Sequence, residues 1–321
     1  MSVWDKYKKI GIIGYGTNGN IYKCKDIKTK NYVAIKEILK KNSNDKYLKE
    51  IEIMKKIKNE NLVLLKETFE TKEYFYIVME LCICNLEEYI KMKENNLSIN
   101  EIKQVLIQLN NILQLTLKEK IILKDLKPKN ILISLDKLDK IIIKLSNYGS
   151  SKEFDNTMNI VETPLTLAPE ILKGEEDLNK SDLWSIGIII YYMYFKEYPY
   201  NGKNKNTLLN DINSGKEIKT IPDEDLNDLM TKLLMTNPNE RLSWKDYFNH
   251  NFFNQFFNFK CQNHLNVVHS YCQNCKLYIC ESCLYEHNKN HKIINFNNIG
   301  IGLNNDEINK LKCYFKKLKK G

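Results

Sequence analysis

The run Leu123-Lys124-Asp125-Leu126-Lys127-Pro128-Lys129-Asn130 constrains this chain more than any other segment. It sets a carboxylate, a lysine and a carboxamide at fixed offsets in one polar stretch between apolar ones. Alone, so polar a run reads as a solvated loop. Its weight comes from the segments that stand in order on either side of it.

Upstream, Gly14-Tyr15-Gly16-Thr17-Asn18-Gly19-Asn20-Ile21 reads as a turn in which glycines let the backbone close over a phosphate without Cβ clashes. Ile21-Tyr22-Lys23-Cys24 continues as a strand, whereas a dinucleotide-binding fold would place a helix after the glycines. A second apolar strand, Tyr32-Val33-Ala34-Ile35-Lys36, ends in a lysine. Tyr47, Ile51, Met54 and Ile57 then recur at helical spacing and carry two carboxylates, Glu50 and Glu52. Tyr74-Phe75-Tyr76-Ile77-Val78-Met79 is a buried-type strand followed by Glu80-Leu81-Cys82. Downstream come Asn147-Tyr148-Gly149, then Thr163-Pro164-Leu165-Thr166-Leu167-Ala168-Pro169-Glu170, and Ser181-Asp182-Leu183-Trp184-Ser185-Ile186-Gly187. Arg241 follows; it is the only arginine among 49 lysines and arginines. A composition that favours lysine so strongly has kept a planar guanidinium at one place.

In this order and spacing the segments resemble the protein kinase superfamily, over roughly residues 6 to 254, and Lys127 resembles the serine/threonine type. The resemblance implies an α+β, bilobal fold with a small β-rich lobe and a large helical lobe, and ATP with Mg2+ in the cleft between them. It implies catalytic roles for Asp125 as acceptor of a hydroxyl proton, Lys127 at the transferred phosphoryl group and Asn130 as a magnesium ligand. Gly14, Gly16 and Gly19 would cover the phosphates, and Lys36, held by Glu50, would pair with them. Ile21, Ala34 and Leu132 would sandwich the base, Met79 would be the gatekeeper, and Glu80 and Cys82 would form the adenine-binding hinge. Glu52 reads as an exposed helix charge, and Cys82 and Cys84 as free thiols. Glu170, Asp182 and Arg241 would be structural, with Arg241 forked onto Glu170.

The departures bear on activity. Asn147 stands where the family has the aspartate that bridges magnesium, and an amide brings no negative charge to the metal. Leu123 and Lys124 stand for His and Arg, Glu162 for a glycine and Thr166 for a tyrosine. Met54, Leu65, Leu123 and Tyr148 keep the apolar column that joins the lobes. Two functions follow. One is an ATP-binding pseudokinase whose phosphoryl transfer is weak or absent. The other is an active serine/threonine kinase recruited or dimerised by its tail.

That tail carries Cys261-x2-His264, Cys272-x2-Cys275, Cys280-x2-Cys283 and His287-x3-His291, eight ligands in four pairs whose short gaps suit tetrahedral metal. Four pairs suggest two Zn2+. The segment resembles the B-box zinc finger, a protein-binding module. The family's interleaving assigns Cys261, His264, Cys280 and Cys283 to one ion and Cys272, Cys275, His287 and His291 to the other. Glu307, Ile308, Leu311, Tyr314, Phe315 and Leu318 then suggest a short amphipathic helix, either for self-association as a homodimer or for packing on its own zinc module. The expected domains are 1–254, kinase-like; 258–296, B-box; and 304–320, C-terminal helix.

The net charge of +9 is spread among asparagines and glutamates without a basic and aromatic cluster, so nucleic acid is not expected. The longest apolar run, Leu183 to Phe195, is too short for a membrane span. Met1-Ser2-Val3-Trp4-Asp5-Lys6 has no apolar signal core, which points to a cytoplasmic protein with protein partners at the B-box and the large lobe.

Overall fold

Runs of β-branched and aromatic residues broken by turns build the N-terminal part into a sheet. The computed structural model describes residues 2–16, 19–42, 46–57, 59–119, 121, 123, 125–135, 140–146, 165–175, 179–254, 268–272, 277–280 and 293–295. A short capped helix, α1 (Val3–Lys6), leads into β1 (Tyr7–Gly16), β2 (Gly19–Asp26) and β3 (Tyr32–Leu39). Then come α2 (Lys46–Lys56), β4 (Leu65–Glu70) and β5 (Tyr74–Glu80). The five strands make one sheet, ordered β1-β2-β3-β5-β4, with every neighbouring pair antiparallel.

Register decides which side chains share a face. Ile21 lies opposite Lys36, Lys36 opposite Ile77, and Ala34 opposite Met79. Ile21, Ala34, Lys36, Ile77 and Met79 therefore line one face, because cross-strand partners point the same way and alternate residues share a side. Val33, Ile35, Tyr76 and Val78 line the other, which is closed over by Val3, Tyr7 and Trp4. The first face continues into the main core, where Ile38, Phe75, Ile77 and Met79 join Ile51 and Met54 of α2. Gly19 opens β2 at φ 147°, and a Cβ there would lie 1.7 Å from the Glu37 carbonyl oxygen. Only a residue without a side chain lets β2 approach β3 so closely.

The rest is mostly helical. After β6 (Cys84–Asn85) come α3 (Leu86–Met92) and α4 (Ile99–Lys118), then β7 (Ile131–Leu135) and β8 (Ile141–Leu145). The capping boxes Asn85/Glu88 and Ser98/Glu101 set the starts of α3 and α4, each worth about 1 kcal/mol. Helices α5 (Pro169–Lys173), α6 (Ser181–Phe195), α7 (Lys205–Ile212), α8 (Glu224–Leu233), α9 (Trp244–Phe248) and α10 (Asn251–Asn254) complete the described part of the large lobe. Every residue of α6 from Ser181 to Met193 is buried, which is how a helix apolar on all sides must sit. A small sheet, β6-β7-β8, lies at the junction. The fold thus has a β-rich N-terminal region and a helical C-terminal region. No helix among the described residues is long and apolar enough to cross a membrane.

In the tail, β9 (Val268–Cys272), β10 (Leu277–Cys280) and β11 (Ile293–Asn295) form an antiparallel sheet ordered β10-β9-β11. The expected C-terminal helix at 304–320 lies outside the described residues.

Candidate functional site

Asp125, Lys127 and Asn130 come together in one tight loop. The Asn130 amide donates through Nδ2 to the Asp125 main-chain oxygen at 2.7 Å and to Asp125 Oδ2 at 2.8 Å. Lys127 Nζ lies 2.9 Å from Asp125 Oδ1. Both carboxylate oxygens are therefore held, which fixes the carboxylate's orientation. With its nitrogen committed to Asp125, the Asn130 oxygen is the atom that could meet a hard cation. Pro128 starts a single 3-10 turn from Pro128 to Asn130 that bends the chain back and makes these contacts local.

Two anchors hold the loop. The Leu123 N–H donates to Asp182 Oδ2 at 3.0 Å, so buried Asp182 at the start of α6 fixes the loop's entrance. At its exit, the Ser146 N–H and hydroxyl both donate to the Asn130 carbonyl, each at 3.0 Å. Ser146 is the residue before Asn147, which itself lies outside the described residues together with Tyr148. Met54 and Leu123 are buried in one core cluster, with Leu65 packed against it.

Leu132 shows how the small sheet faces the rest. It lies opposite Asn85 on one side and Lys144 on the other, so the three share a face. Lys144 Nζ reaches Glu80 Oε1 at 2.8 Å and the Glu60 carbonyl at 2.8 Å, both on the small-lobe side. The face that carries Leu132 is therefore the one turned toward the β1–β5 sheet, whose Lys36 face looks toward the core it shares with the large lobe. The connecting strip is short. Only Leu81 and Cys82 separate Glu80 from Ile83, whose N–H bonds the Ile133 carbonyl of β7 at 2.8 Å. Burial pushes the Cys82 thiol up to about 12, and Cys84 moves the same way for the same reason. Both are free thiols, and burial disfavours the thiolate form of each.

Deeper in the large lobe, the Arg241 fork meets the Glu170 carboxylate at 2.6 and 3.0 Å, with both side chains sealed from solvent. Two of its other N–H donors reach the Lys180 and Met235 carbonyls at 2.8 and 3.1 Å. The guanidinium also lies 5.3 Å from the centre of the Trp184 ring.

A family model for the protein kinase domain matches residues 7–253. The chain belongs to the protein kinase family. A second model, for the B-box zinc finger, matches residues 257–296. The chain is similar to calcium-dependent protein kinase 5 of Plasmodium berghei, 32% identical over 98% of this chain and 55% of the relative. It is also similar to serine/threonine-protein kinase unc-51 of Caenorhabditis elegans, 31% identical over 77% of this chain and 31% of the relative. The serine/threonine-protein kinase ATG1 of Pichia angusta is 30% identical over 74% and 36%. This kinase-family chain thus spans only 31% to 55% of the lengths of these relatives.

Several expected site residues of this family member lie outside what the structure describes. Glu50 is on α2, but its side chain is among them, and so are Asn147 and the segment 147–164. Glu52 is exposed. Gly16 pairs with Gly19 across the β1–β2 turn. Cys272 and Cys280 are described through the backbone of β9 and β10, whereas Cys261, His264, Cys275, Cys283, His287 and His291 lie outside the described residues. Sequence reading missed Lys144, Asn61 and Gln108. Asn61 Nδ2 bonds Gln108 Oε1 and the Ile143 carbonyl, both at 3.0 Å, and Gln108 Oε1 accepts from Ile143 N–H at 3.0 Å. A charged residue inside the apolar strand Ile141–Leu145 was the available signal, since a half-buried lysine needs a partner.

Proposed function

We propose that this chain is an ATP-binding member of the serine/threonine kinase family in which phosphoryl transfer is weak or absent, joined to a B-box that binds two zinc ions and a protein partner. The observation that carries the reading is the loop in which Asp125, Lys127 and Asn130 are mutually bonded, followed by Asn147 where the family has a carboxylate. The domains are taken as 1–254, 258–296 and a helix at 304–320.

In this reading Ile21, Ala34, Met79 and Leu132 give the base apolar walls, and main-chain groups at Glu80 and Cys82 bind its edge. Lys36, held by Glu50, pairs with phosphates under the glycine turn of Gly14, Gly16 and Gly19. Asp125 orients a substrate hydroxyl and takes its proton; Lys127 neutralises the migrating charge. The Asn130 oxygen, a hard donor already turned from Asp125, suits magnesium, with Asn147 as a second, uncharged donor. Magnesium, when bound, supplies charge stabilisation at the phosphates, worth several kcal/mol.

A second reading, an active kinase recruited or dimerised by its B-box, is favoured by the intact Asp125–Lys127–Asn130 geometry. Labelled ATP separates the two. The purified protein should bind ATP with micromolar affinity yet incorporate almost no phosphate into protein substrates. Robust incorporation that disappears in Asp125→Ala would establish the second reading instead.

Backbone register supports two zinc ions. Cys272 lies opposite Leu277 and Ile293, whereas Cys280 lies opposite Val268. Val268 and Cys272 are the two ends of β9, about 13 Å apart at strand rise, whereas Zn–S bonds are only about 2.3 Å. This backbone separation supports assigning Cys272 and Cys280 to different ions. Ile293 beside Cys272 also brings the chain that follows His291 to the Cys272 end. A strong chelator should release two equivalents of zinc, removing on the order of 10 kcal/mol of folding free energy per ion. Amide exchange in β9–β11 should become fast while the kinase domain keeps its melting transition. Release of a single equivalent would refute the pairing, and a tail that stays protected without metal would refute the zinc assignment.

A further inference from the structure

We propose that Glu80 and Lys144 form an interlobe clamp, and that Lys144 is a positioning residue which, through Glu80, governs how fast nucleotide leaves the cleft. The inference rests on reading the cleft as a nucleotide site.

Three chain segments meet at this ion pair. Glu80 ends β5, opposite Val33 of β3, and is the last small-sheet residue before the two-residue strip to the large lobe. Its Oε1 accepts from the Leu64 N–H at 2.7 Å, and its own N–H donates to the Leu64 carbonyl at 3.0 Å. Leu64 precedes β4 and is 59% exposed, so polar bonds rather than packing hold this residue to the hinge. The third member is Lys144 of β8, whose ammonium bridges Glu80 Oε1 and the Glu60 carbonyl. The side chains of Lys144 and Glu80 are only 12% and 21% exposed, so solvent screens the pair weakly.

The placement gives the pair leverage. Lobes that open and close do so through a few residues that absorb backbone rotation. Here those are Leu81 and Cys82, and the clamp spans them from outside. Beside it, the segment 61–63 is joined to β8 through the main chain: Val63 N–H to the Leu145 carbonyl at 3.1 Å and Leu145 N–H to the Asn61 carbonyl at 2.8 Å. Those bonds fix the back of the hinge region whatever is done to the clamp. Glu80 with Lys144 is the part that ties the hinge residue itself. Lys144 also lies opposite Leu132, so its stem and the proposed base-facing leucine share one surface. Releasing the ammonium frees the hinge angle without removing any group that would touch nucleotide.

The test uses the full chain and a fluorescent ATP analogue. Lys144→Met keeps the apolar stem and loses the donors; Glu80→Gln keeps the acceptor for Leu64 and loses the charge. Each variant should fold and raise the analogue's dissociation rate about tenfold, which is about 1.4 kcal/mol. The double variant should be no faster than the faster single one, because the two act as one unit. Hydrogen exchange at the Leu64 amide should quicken in Lys144→Met. Dissociation rates unchanged in both variants, with faster exchange at Leu64, would reduce the pair to a structural tie and overturn the proposal. Additive effects in the double variant would overturn it too. Wild-type protein that binds no analogue would sink the reading of the cleft instead, and the clamp would then be judged on exchange across residues 60–65 and 80–85. Exchange there unaltered by Lys144→Met would end it.

Discussion

Replacing Arg241 by methionine should destabilise the kinase domain by about 3 to 5 kcal/mol, because it leaves the sealed Glu170 carboxylate without its partner. For a domain of this size, that is a fall in melting temperature of about 10 °C or more. Lysine should recover only part of the loss. Its single ammonium cannot meet both Glu170 oxygens and still supply the Lys180 and Met235 carbonyls, as the guanidinium does. Removing both charges, with Glu170→Met in the Arg241→Met background, should be less damaging than removing the arginine alone. Thermal unfolding of wild type and the three variants gives the comparison directly. If Arg241→Lys proved as stable as wild type, one charge would be enough at this site, and the bidentate fork would not be the reason that arginine stands here.

How much of this was legible beforehand depended on the kind of interaction. The strands at Tyr32–Leu39 and Tyr74–Glu80 and the buried helix Ser181–Phe195 announce themselves by apolar runs, and the structure has them where the pattern is strongest. The shared face of Ile21, Ala34, Lys36 and Met79 follows from alternation once the register is known. Register, however, is a pairing between distant segments, and no single strand carries it. The same holds for the clamp. Glu80 read as a hinge residue whose backbone mattered, and Lys144 as one more lysine among many. Their meeting depends on β8 lying beside the segment before β4, a contact between residues more than sixty positions apart in sequence. Asn61 and Gln108 were silent for a further reason. A buried amide that bonds backbone looks, in sequence, like any asparagine in a chain rich in them.

Exchanging Asn147 for aspartate should convert weak transfer into measurable kinase activity, by about a hundredfold or more in phosphate incorporation. The size follows from the several kcal/mol that a well-held metal contributes, at about 1.4 kcal/mol per tenfold. In the proposed reading the loop needs no other change: Asp125 is held by Lys127 and Asn130, and Asn130 is tied through its carbonyl to Ser146, the residue preceding the exchange. One added negative charge is then the whole chemical difference. A second readout is independent of turnover. ATP binding should depend only weakly on magnesium in the natural chain, because amide oxygens attract a hard cation poorly, and strongly in Asn147→Asp. Asp125→Ala placed on top of Asn147→Asp should silence transfer again while leaving the new metal dependence in place, if Asp125 takes the substrate proton as proposed. If the natural chain already transfers phosphate as fast as the variant, the amide is not what limits it. The departures at Leu123 and Lys124, or those at Glu162 and Thr166 where a peptide would lie, then become the residues to exchange.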